Sequence, residues 1–421
     1  MSDIRFEGWL HRTGTGGVYQ DSAGNVGIAS TQPQQKLDIG NGGFQVGPTG
    51  ITTITTLNTT NIVNGTQLSH RNLIINGAME VAQRGTSSTS SGYQTVDRFT
   101  VLSGNTDETP TQAQVDLTSS DTPYSYGFRK ALKITNGNQT SGAGANDYIE
   151  VLQKFEGQDI NTSGWDFTSA SSFITISFWI KSSVAQTFYG SMRITEASAN
   201  KQYVFAVNAT TSWQKITKTI PGASGLNPVN TNALGGWFDL ITFYGTGYTG
   251  SMTPDQWNTV DTSAYIPDMT STWYTTNDAT LEYTGLQIEV GSVATPFEHR
   301  SYGDELRRCQ RYFFNVTGNT NVRTAIPAFA NSTTACRAMV SFPTPMRATP
   351  SFSGTATSMV FDSSDDSALF NCSTLSIGGG SNNTNPHYTL IETSTSSMTA
   401  GQAGVLEFRA DNGELNFSAE L

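Results

Sequence analysis

The chain has 421 residues and is polar without being strongly charged: 36% of its residues are apolar and only 14% are charged. Its polarity comes from Thr, Ser, Asn and Gln, together with 41 glycines. Thr and aromatic residues suit pleated surfaces, and Gly and Asn suit turns, so an all-β protein of two to three domains is predicted.

The net charge of −11 excludes several classes of partner. No Lys or Arg occurs between Thr219 and His299. We therefore expect no nucleic-acid partner and no general affinity for anionic membranes. No secretory signal is recognised, and no run approaches the roughly 20 apolar residues that membrane insertion requires.

Residues 1–70 contain very short apolar runs broken by glycine, as in "GNVGIAS" and "QKLDIGNGGFQVG". Ile51, Ile54 and Leu57 then recur every third residue, which is neither the period of a half-buried strand nor that of a helix. This spacing predicts a thin shaft in which three copies of the chain bury a common apolar seam, so the protein is expected to be a homotrimer. An extended linker is the alternative.

Residues 71–300 are predicted to form one large β domain. In "FITISFWIK" apolar and mixed residues alternate, which places Ile174, Ile176, Phe178 and Ile180 on a core face. About nine to eleven such runs, separated by turn residues, favour a two-sheet jelly roll.

Residues 301–313 are predicted to be a short linker helix, with Asp304 near its beginning and Leu306 on its apolar stripe. Arg307, Arg308 and Arg311 could suggest a nucleic-acid patch. However, Asp304 and Arg308 are spaced for an internal pair, so a structural helix that orients the next domain is favoured. That domain, residues 314–421, is predicted to be a smaller C-terminal β-sandwich.

The motifs of common enzymes are missing from the sequence. The four histidines are scattered, and no nucleophile elbow, phosphate loop or CxxC pair occurs. Cys309, Cys336 and Cys372 have no metal-ligand spacing and are interpreted as reduced thiols of a protein made in a cytoplasm. The chain is therefore not expected to be an enzyme.

One stretch has the chemistry of a sugar-binding surface. Residues 242–261, "TFYGTGYTGSMTPDQWNTVD", are polar, aromatic and free of basic residues. Aromatic rings stack on the C–H faces of sugars, and amides or carboxylates bond the hydroxyls. The candidate glycan contacts are Trp237, Tyr244, Tyr248 and Trp257. In a β-sandwich such residues can instead line the core edge or a subunit interface.

Three segments carry a resemblance to a known class of proteins. "NLIINGAMEVAQRG" followed by "VDRF", and "TGLQIEVGSVATPFEHRSYGDELRRCQRYF", resemble tail fibres and related virion structural proteins of tailed bacteriophages, notably marine, cyanophage-like ones. "GNVGIASTQPQQKLDIG" resembles a segment of phage fibre shafts. The resemblance implies a surface appendage of the virion, made in the host cytoplasm and joined to other virion proteins through residues 1–70.

The start of the central domain carries a second resemblance. Its opening pattern is similar to that of carbohydrate-binding-module jelly rolls, and the matching residues are Asn72, Leu73, Asn76, Gly77, Met79 and Glu80. That similarity implies a structural calcium held in part by Glu80, although the closing strand "EYTGLQIEVG" lacks the family's Asp pair. No other cofactor is expected.

These observations favour a protein that displays β domains for multivalent recognition of a host-surface receptor, most simply a glycan. A structural virion component without receptor binding, such as a capsid decoration, a collar or a connector fibre, is the alternative. A glycan-degrading spike is a third hypothesis.

Overall fold

A computed structural model describes residues 8–10, 17–28, 37–39, 44–46, 52–53, 70–196, 200–318, 324–363, 369–377, 385–409 and 413–421. The chain divides into two compact units, residues 1–66 and residues 67–421. Among the described residues, no helix has the length and apolar character of a membrane span.

The first unit contains one sheet of six short strands: β1 (Gly8–Leu10), β2 (Gly17–Gln20), β3 (Val26–Ile28), β4 (Leu37–Ile39), β5 (Phe44–Val46) and β6 (Thr52–Thr53). Neighbours in sequence pair in order, and β3 and β4 run parallel. Between β2 and β3, Oδ1 of Asp21 accepts the backbone N–H groups of Ala23 and Asn25 at 2.9 Å, which fixes the turn. Ile51, Ile54 and Leu57 lie outside the described residues, so the trimer seam remains a prediction.

The second unit begins with fourteen strands: β7 (Ser87–Ser88), β8 (Phe99–Gly104), β9 (Thr111–Asp116), β10 (Lys130–Thr135), β11 (Tyr148–Glu156), β12 (Phe173–Ser182), β13 (Gln186–Ile194), β14 (Lys201–Ala209), β15 (Gln214–Pro221), β16 (Leu234–Tyr244), β17 (Thr249–Gly250), β18 (Trp257–Thr259), β19 (Ile266–Pro267) and β20 (Thr280–Val290). Twelve of them form two six-stranded sheets, in the orders β15-β12-β20-β10-β9-β7 and β18-β14-β13-β16-β11-β8. Strands β17 and β19 pair by themselves in parallel.

The two six-stranded sheets enclose the main core, which confirms the predicted all-β, jelly-roll class of fold. Ile174, Ile176, Phe178 and Ile180 are fully buried in that core, as their alternation predicts. Trp179, between them in sequence, packs in a separate cluster on the opposite face of its sheet.

The opening motif of this domain has a structural role. The Asn72 side chain accepts the backbone N–H groups of Ile74 and Ile288 and donates to the Leu286 carbonyl oxygen. A Cβ at Gly77 would lie only 2.1 Å from that same Leu286 oxygen, so glycine is required there. The motif therefore clamps residues 72–77 against β20.

Three α-helices occur among the described residues: α1 (Gly157–Asn161), α2 (Thr272–Thr275) and α3 (Tyr302–Gln310). Helix α3 lies within the predicted segment 301–313 and begins two residues before Asp304, but it ends at Gln310, and Phe313 already belongs to the next strand. Its N-cap is Ser301, whose Oγ accepts the Asp304 N–H at 3.2 Å.

The C-terminal part contains ten strands: β21 (Phe313–Thr317), β22 (Ala325–Ala330), β23 (Ala335–Ser341), β24 (Ser351–Gly354), β25 (Met359–Ser363), β26 (Leu369–Asn371), β27 (Thr374–Ile377), β28 (Tyr388–Ser394), β29 (Ala403–Phe408) and β30 (Glu414–Ser418). They form a three-stranded sheet, β21-β30-β24, and a seven-stranded sheet, β26-β25-β29-β22-β23-β28-β27. The edge strands β26 and β27 are consecutive in sequence, so the larger sheet must curve back on itself. Both sheets share one core.

Polar contacts join this part to the jelly roll. Glu420 pairs with Arg98 and, at 3.3 Å, with Arg84, and the Lys154 ammonium donates to the Leu421 backbone oxygen at 2.7 Å. The Arg98 guanidinium, which is almost fully buried, also lies 3.4 Å from the centre of the Tyr312 ring. The two β domains are therefore held together within one compact unit. The domain boundaries predicted inside it remain predictions.

Candidate functional site

A cleft of about 240 Å³ lies on the face of the β18-β14-β13-β16-β11-β8 sheet that points away from the main core. Strand alternation places the functional side chains there, since Ile149 and Val151 of β11 are buried in the core while Tyr148 and Glu150 face the cleft. The lining residues come from three neighbouring strands and one loop: Tyr148, Glu150, Arg193, Tyr244, Tyr248 and Tyr265.

A β-bulge brings Tyr244 into this cleft. In β16, Phe238 and Leu240 point into the core, and strict alternation would turn Tyr244 inward as well. The register between β11 and β16 shifts at Ile149 and Glu150, so that Ile149 pairs with Phe243 and Tyr148 pairs with Tyr244. The extra residue, Thr242, returns Tyr244 to the outer face.

The loop after β16 supplies the wall of the cleft. Tyr248 and Tyr265 face the sheet, and the Tyr265 N–H donates to the Tyr248 carbonyl oxygen at 2.8 Å. The loop is fastened to the sheet because Nε2 of Gln202, on β14, donates to the Tyr265 carbonyl oxygen at 3.0 Å. Apolar contacts of Ile266 with Val204 and Ile241 also hold this loop against the sheet.

The four tyrosines form one aromatic cluster. The Tyr244 ring centre is 5.5 Å from that of Tyr248 and 5.9 Å from that of Tyr265, and Tyr148 meets Tyr248 edge-on at 6.0 Å. Tyr148, Tyr248 and Tyr265 are half-buried, and Tyr244 is buried. Contacts of this kind hold flat rings rigidly at an open surface.

Charged groups form the floor of the cleft. The Arg193 guanidinium lies 3.3 Å from a carboxylate oxygen of Asp239, which is fully buried, and 4.5 Å from the centre of the Tyr265 ring. The Tyr244 hydroxyl donates to Oε2 of Glu150. Arg193 thus joins the carboxylates of β11 and β16 to the aromatic wall.

Burial raises the pKa of Glu150, and burial together with the neighbouring Glu150 carboxylate holds the pKa of Asp239 well above its usual range. Two carboxylates in contact resist simultaneous ionisation, and the Arg193 guanidinium supplies the neighbouring positive charge. The resulting site offers both donors and acceptors to a polar ligand.

The structure brings three of the four predicted glycan contacts to this face. Tyr244 and Tyr248 line the cleft, and Trp237 pairs across the strands with Arg193, whose guanidinium lies 5.4 Å from the indole. Trp257 lies elsewhere: its Nε1 donates to the Pro221 carbonyl oxygen at 2.7 Å, and its ring stacks on Trp165 at the edge of the core.

Sequence reasoning missed Tyr148, Glu150, Arg193 and Asp239. Alternation along β11 and β13 could have placed Glu150 and Arg193 on outward faces. No sequence signal reports that the loop folds back far enough for Tyr265 to meet them.

Four of the predicted helix residues, Asp304, Arg307, Arg308 and Arg311, line a second cleft. Asp304 and Arg307 are exposed, whereas Leu306, Arg308 and Arg311 are half-buried. The expected pair of Asp304 with Arg308 is replaced by other contacts. Asp304 accepts the Ser301 hydroxyl, and the Arg308 guanidinium lies 3.0 Å from Nδ1 of His70.

Two carboxylates, Glu305 and Glu156, fasten helix α3 to the jelly roll. The helix pattern in the sequence did not single them out. Glu305 accepts the backbone N–H of Asn76 and lies 3.5 Å from Arg300. Glu156 of the jelly roll receives two bonds from the Arg311 guanidinium, at 2.8 and 2.9 Å. The helix is therefore fastened to the jelly roll on two sides, which supports its structural interpretation.

Glu80 does not have the surroundings of a calcium ligand. Its half-buried carboxylate accepts the Arg129 backbone N–H and lies near the charges of Lys130 and Arg129, although burial raises its pKa. Among the described residues, no group of three or more His, Cys, Asp or Glu side chains could hold a metal ion. These residues do not fit a calcium site at Glu80.

No family model and no curated protein matches the chain. Solved structures do match about half of it. The enzymatically active domain of tailspike protein 4 of bacteriophage CBA120 shows 8% identity over 52% of this chain and 21% of that one, with a TM-score of 0.27.

Two further structures cover the same share of the chain. A family 11 carbohydrate-binding module of a Clostridium thermocellum cellulosomal cellulase is 11% identical over 51% of this chain and 98% of its own, with a TM-score of 0.25. A putative sugar-binding protein of Bacteroides thetaiotaomicron is 10% identical over 52% of this chain and all of its own (100%), with a TM-score of 0.27.

Proposed function

We propose that this chain is a tail-fibre-like virion protein that binds a host-surface glycan in the cleft of Tyr148, Glu150, Arg193, Tyr244, Tyr248 and Tyr265. The observation that carries the proposal is the combination, in one open cleft, of rigid aromatic rings with the Arg193 guanidinium and the Glu150 carboxylate, supported from beneath by the buried Asp239. A sugar needs both, since its C–H faces are apolar and its edge carries hydroxyls.

The size of the cleft suits a small part of a glycan. Its volume of about 240 Å³ lies below the roughly 300–1,000 Å³ usual for drug-sized ligands. A single ring or the end of a saccharide chain fits better than a long segment. Such a site binds weakly by itself, so recognition would depend on several copies acting together.

Three copies are supplied by the proposed homotrimer, with residues 1–70 joining it to other virion proteins. Light scattering on the full chain is expected to give three times 45.3 kDa. A monomeric mass would contradict both the proposed trimer and the proposed multivalent binding.

We propose binding without catalysis. Asp239 is fully buried and ion-paired with Arg193, so it is poorly placed to exchange protons with a substrate. Incubation of the protein with host polysaccharide should release no new reducing ends. Their appearance would favour the glycan-degrading alternative.

A glycan array with the full chain, followed by titration of the best ligand, tests the binding proposal. Tyr248→Ala and Tyr265→Ala are expected to weaken binding at least tenfold, since each removes an aromatic face from the cleft wall. Tyr126→Ala is the matched control, because that exposed ring stacks on Trp179 at the other sheet. Binding to no glycan, or equal loss in the control, would favour a purely structural virion component.

A further inference from the structure

The C-terminal sandwich contains two thiols that the proposed function does not use. Cys336 lies on β23, and Cys372 lies in the two-residue link between β26 and β27. Both are buried, and both belong to the same core cluster. The third cysteine, Cys309 of α3, lies outside that cluster.

Strand register brings the two sulfurs together. Cys336 pairs across the strands with Thr393 of β28, and Thr393 pairs on its other side with Leu375 of β27. Hydrogen bonding with Cys336 and with the Thr393 hydroxyl lowers the pKa of Cys372, and hydrogen bonding with Cys372 raises the pKa of Cys336. Cys336 and Cys372 are therefore neighbours beside Thr393 in the core of the curved sheet.

We propose that Cys336 and Cys372 form an oxidation-dependent disulfide that locks the seven-stranded sheet where it curves back on itself. Cys372 links the two edge strands β26 and β27, and Cys336 lies on β23, separated from β27 by β28. A bond between them would tie the closing edge to the interior of the sheet. A chain made reduced in a cytoplasm would acquire this cross-link after release into an oxidising medium.

The two thiols differ in a way that suits the reaction. The hydrogen bond from Cys336 lowers the pKa of Cys372, and donating that bond raises the pKa of Cys336. Cys372 is therefore the more easily ionised of the two thiols and the nucleophile in this proposal.

Hydrogen peroxide is the oxidant in the proposed reaction. The Cys372 thiolate attacks one peroxide oxygen, the O–O bond breaks, and the sulfenic acid and hydroxide form. The Cys336 sulfur then attacks the Cys372 sulfur, its proton leaves with the hydroxyl group as water, and the S–S bond forms. In total, two thiols are oxidised by two electrons and one hydrogen peroxide is reduced to two waters.

Counting thiols in the full-length protein tests the proposal. The folded chain is treated with hydrogen peroxide, then unfolded in guanidinium with iodoacetamide and without reductant. Three labels are expected before treatment, since all three cysteines are free. After treatment we expect one label, on Cys309, and an intact mass lower by about 2 Da for the two lost hydrogens. Dithiothreitol should restore all three labels.

Variants locate the bond. Cys309→Ala is the matched control and should keep the loss of about 2 Da, whereas Cys336→Ala and Cys372→Ala should each abolish it. The wild-type thermal midpoint should rise by several degrees on oxidation and fall back on reduction. Three labels after peroxide, or sulfinic and sulfonic adducts in place of the mass loss, would overturn the proposal. The number of labelled cysteines in the wild-type protein tests the proposal even if a variant fails to fold.

Discussion

Asp97 is a buried carboxylate whose ionisation destabilises the folded chain. Only 1% of its side chain is exposed, and burial raises its pKa to about 6 although Gln83 and Arg84 oppose the shift. In an unfolded chain an Asp titrates near 3.9. Stability from this group is therefore complete below about pH 4 and is lost as the pH rises through about 6.

Asp97→Asn should remove this pH dependence. The shift of about two pKa units corresponds to roughly 3 kcal/mol between pH 4 and pH 7, since each unit is worth about 1.4 kcal/mol. Guanidinium unfolding at several pH values measures this change in the free energy of unfolding. The readout is the slope of that free energy against pH, because the substitution also changes a hydrogen bond to Gln83. An unchanged slope in the variant would place the titration on another group.

The ion pair of Arg193 and Asp239 supports the floor of the cleft. Arg193→Met would leave Asp239 and Glu150 buried without a cation, and a broken buried pair typically costs about 3–5 kcal/mol. Replacing both partners in Arg193→Met/Asp239→Leu should cost less than the single change, because only the Glu150 carboxylate, which the Tyr244 hydroxyl bonds, is then left without a cation. Unfolding free energies of the two variants check this, and a double variant less stable than the single one would contradict it.

At the scale of elements, the sequence predicted those strands whose alternation continues without interruption. The alternation of Ile174, Ile176 and Phe178 is complete, and β12 has the predicted core face. In β16 the bulge at Thr242 changes which face Tyr244 occupies, and bulges are set by pairing with a distant strand. The polar, aromatic loop of Trp257 predicts a glycan contact, whereas in the structure the Trp257 ring stacks on Trp165 at the core edge, away from the cleft.

Helix α3 depends on its N-cap more than on its internal pairs. The bond from the Asp304 N–H to Ser301 Oγ satisfies one of the donors that an isolated helix end leaves free. Ser301→Ala should therefore destabilise the chain by about 1 kcal/mol, whereas Ser301→Asp keeps an acceptor and should cost much less. Denaturant midpoints measure both, and equal losses would show that the cap is not the cause.

At the scale of the whole second unit, the last residues of the chain connect the two β domains. Glu420 is the carboxylate partner of Arg98, a jelly-roll residue almost fully buried beneath the C-terminal part. The Lys154 contact with Leu421 and the Arg311 contact with Glu156 add to the same interface. Since these charged groups pair with one another across the interface, separating the domains would break the pairs, and we expect the jelly roll and the C-terminal sandwich to unfold together.

Glu420→Ala should uncouple the two domains. It leaves the buried Arg98 without its carboxylate, a change that costs roughly 3–5 kcal/mol in comparable pairs. Calorimetry of the variant is expected to show a separate transition of the C-terminal sandwich at lower temperature, where the wild-type unit gives one. Glu414→Ala, an exposed position of the terminal strand β30, is the matched control and should keep the single transition. If Glu420→Ala also unfolds in one step at the wild-type midpoint, the Arg98 pair does not couple the domains, and the remaining polar contacts or direct packing must do so.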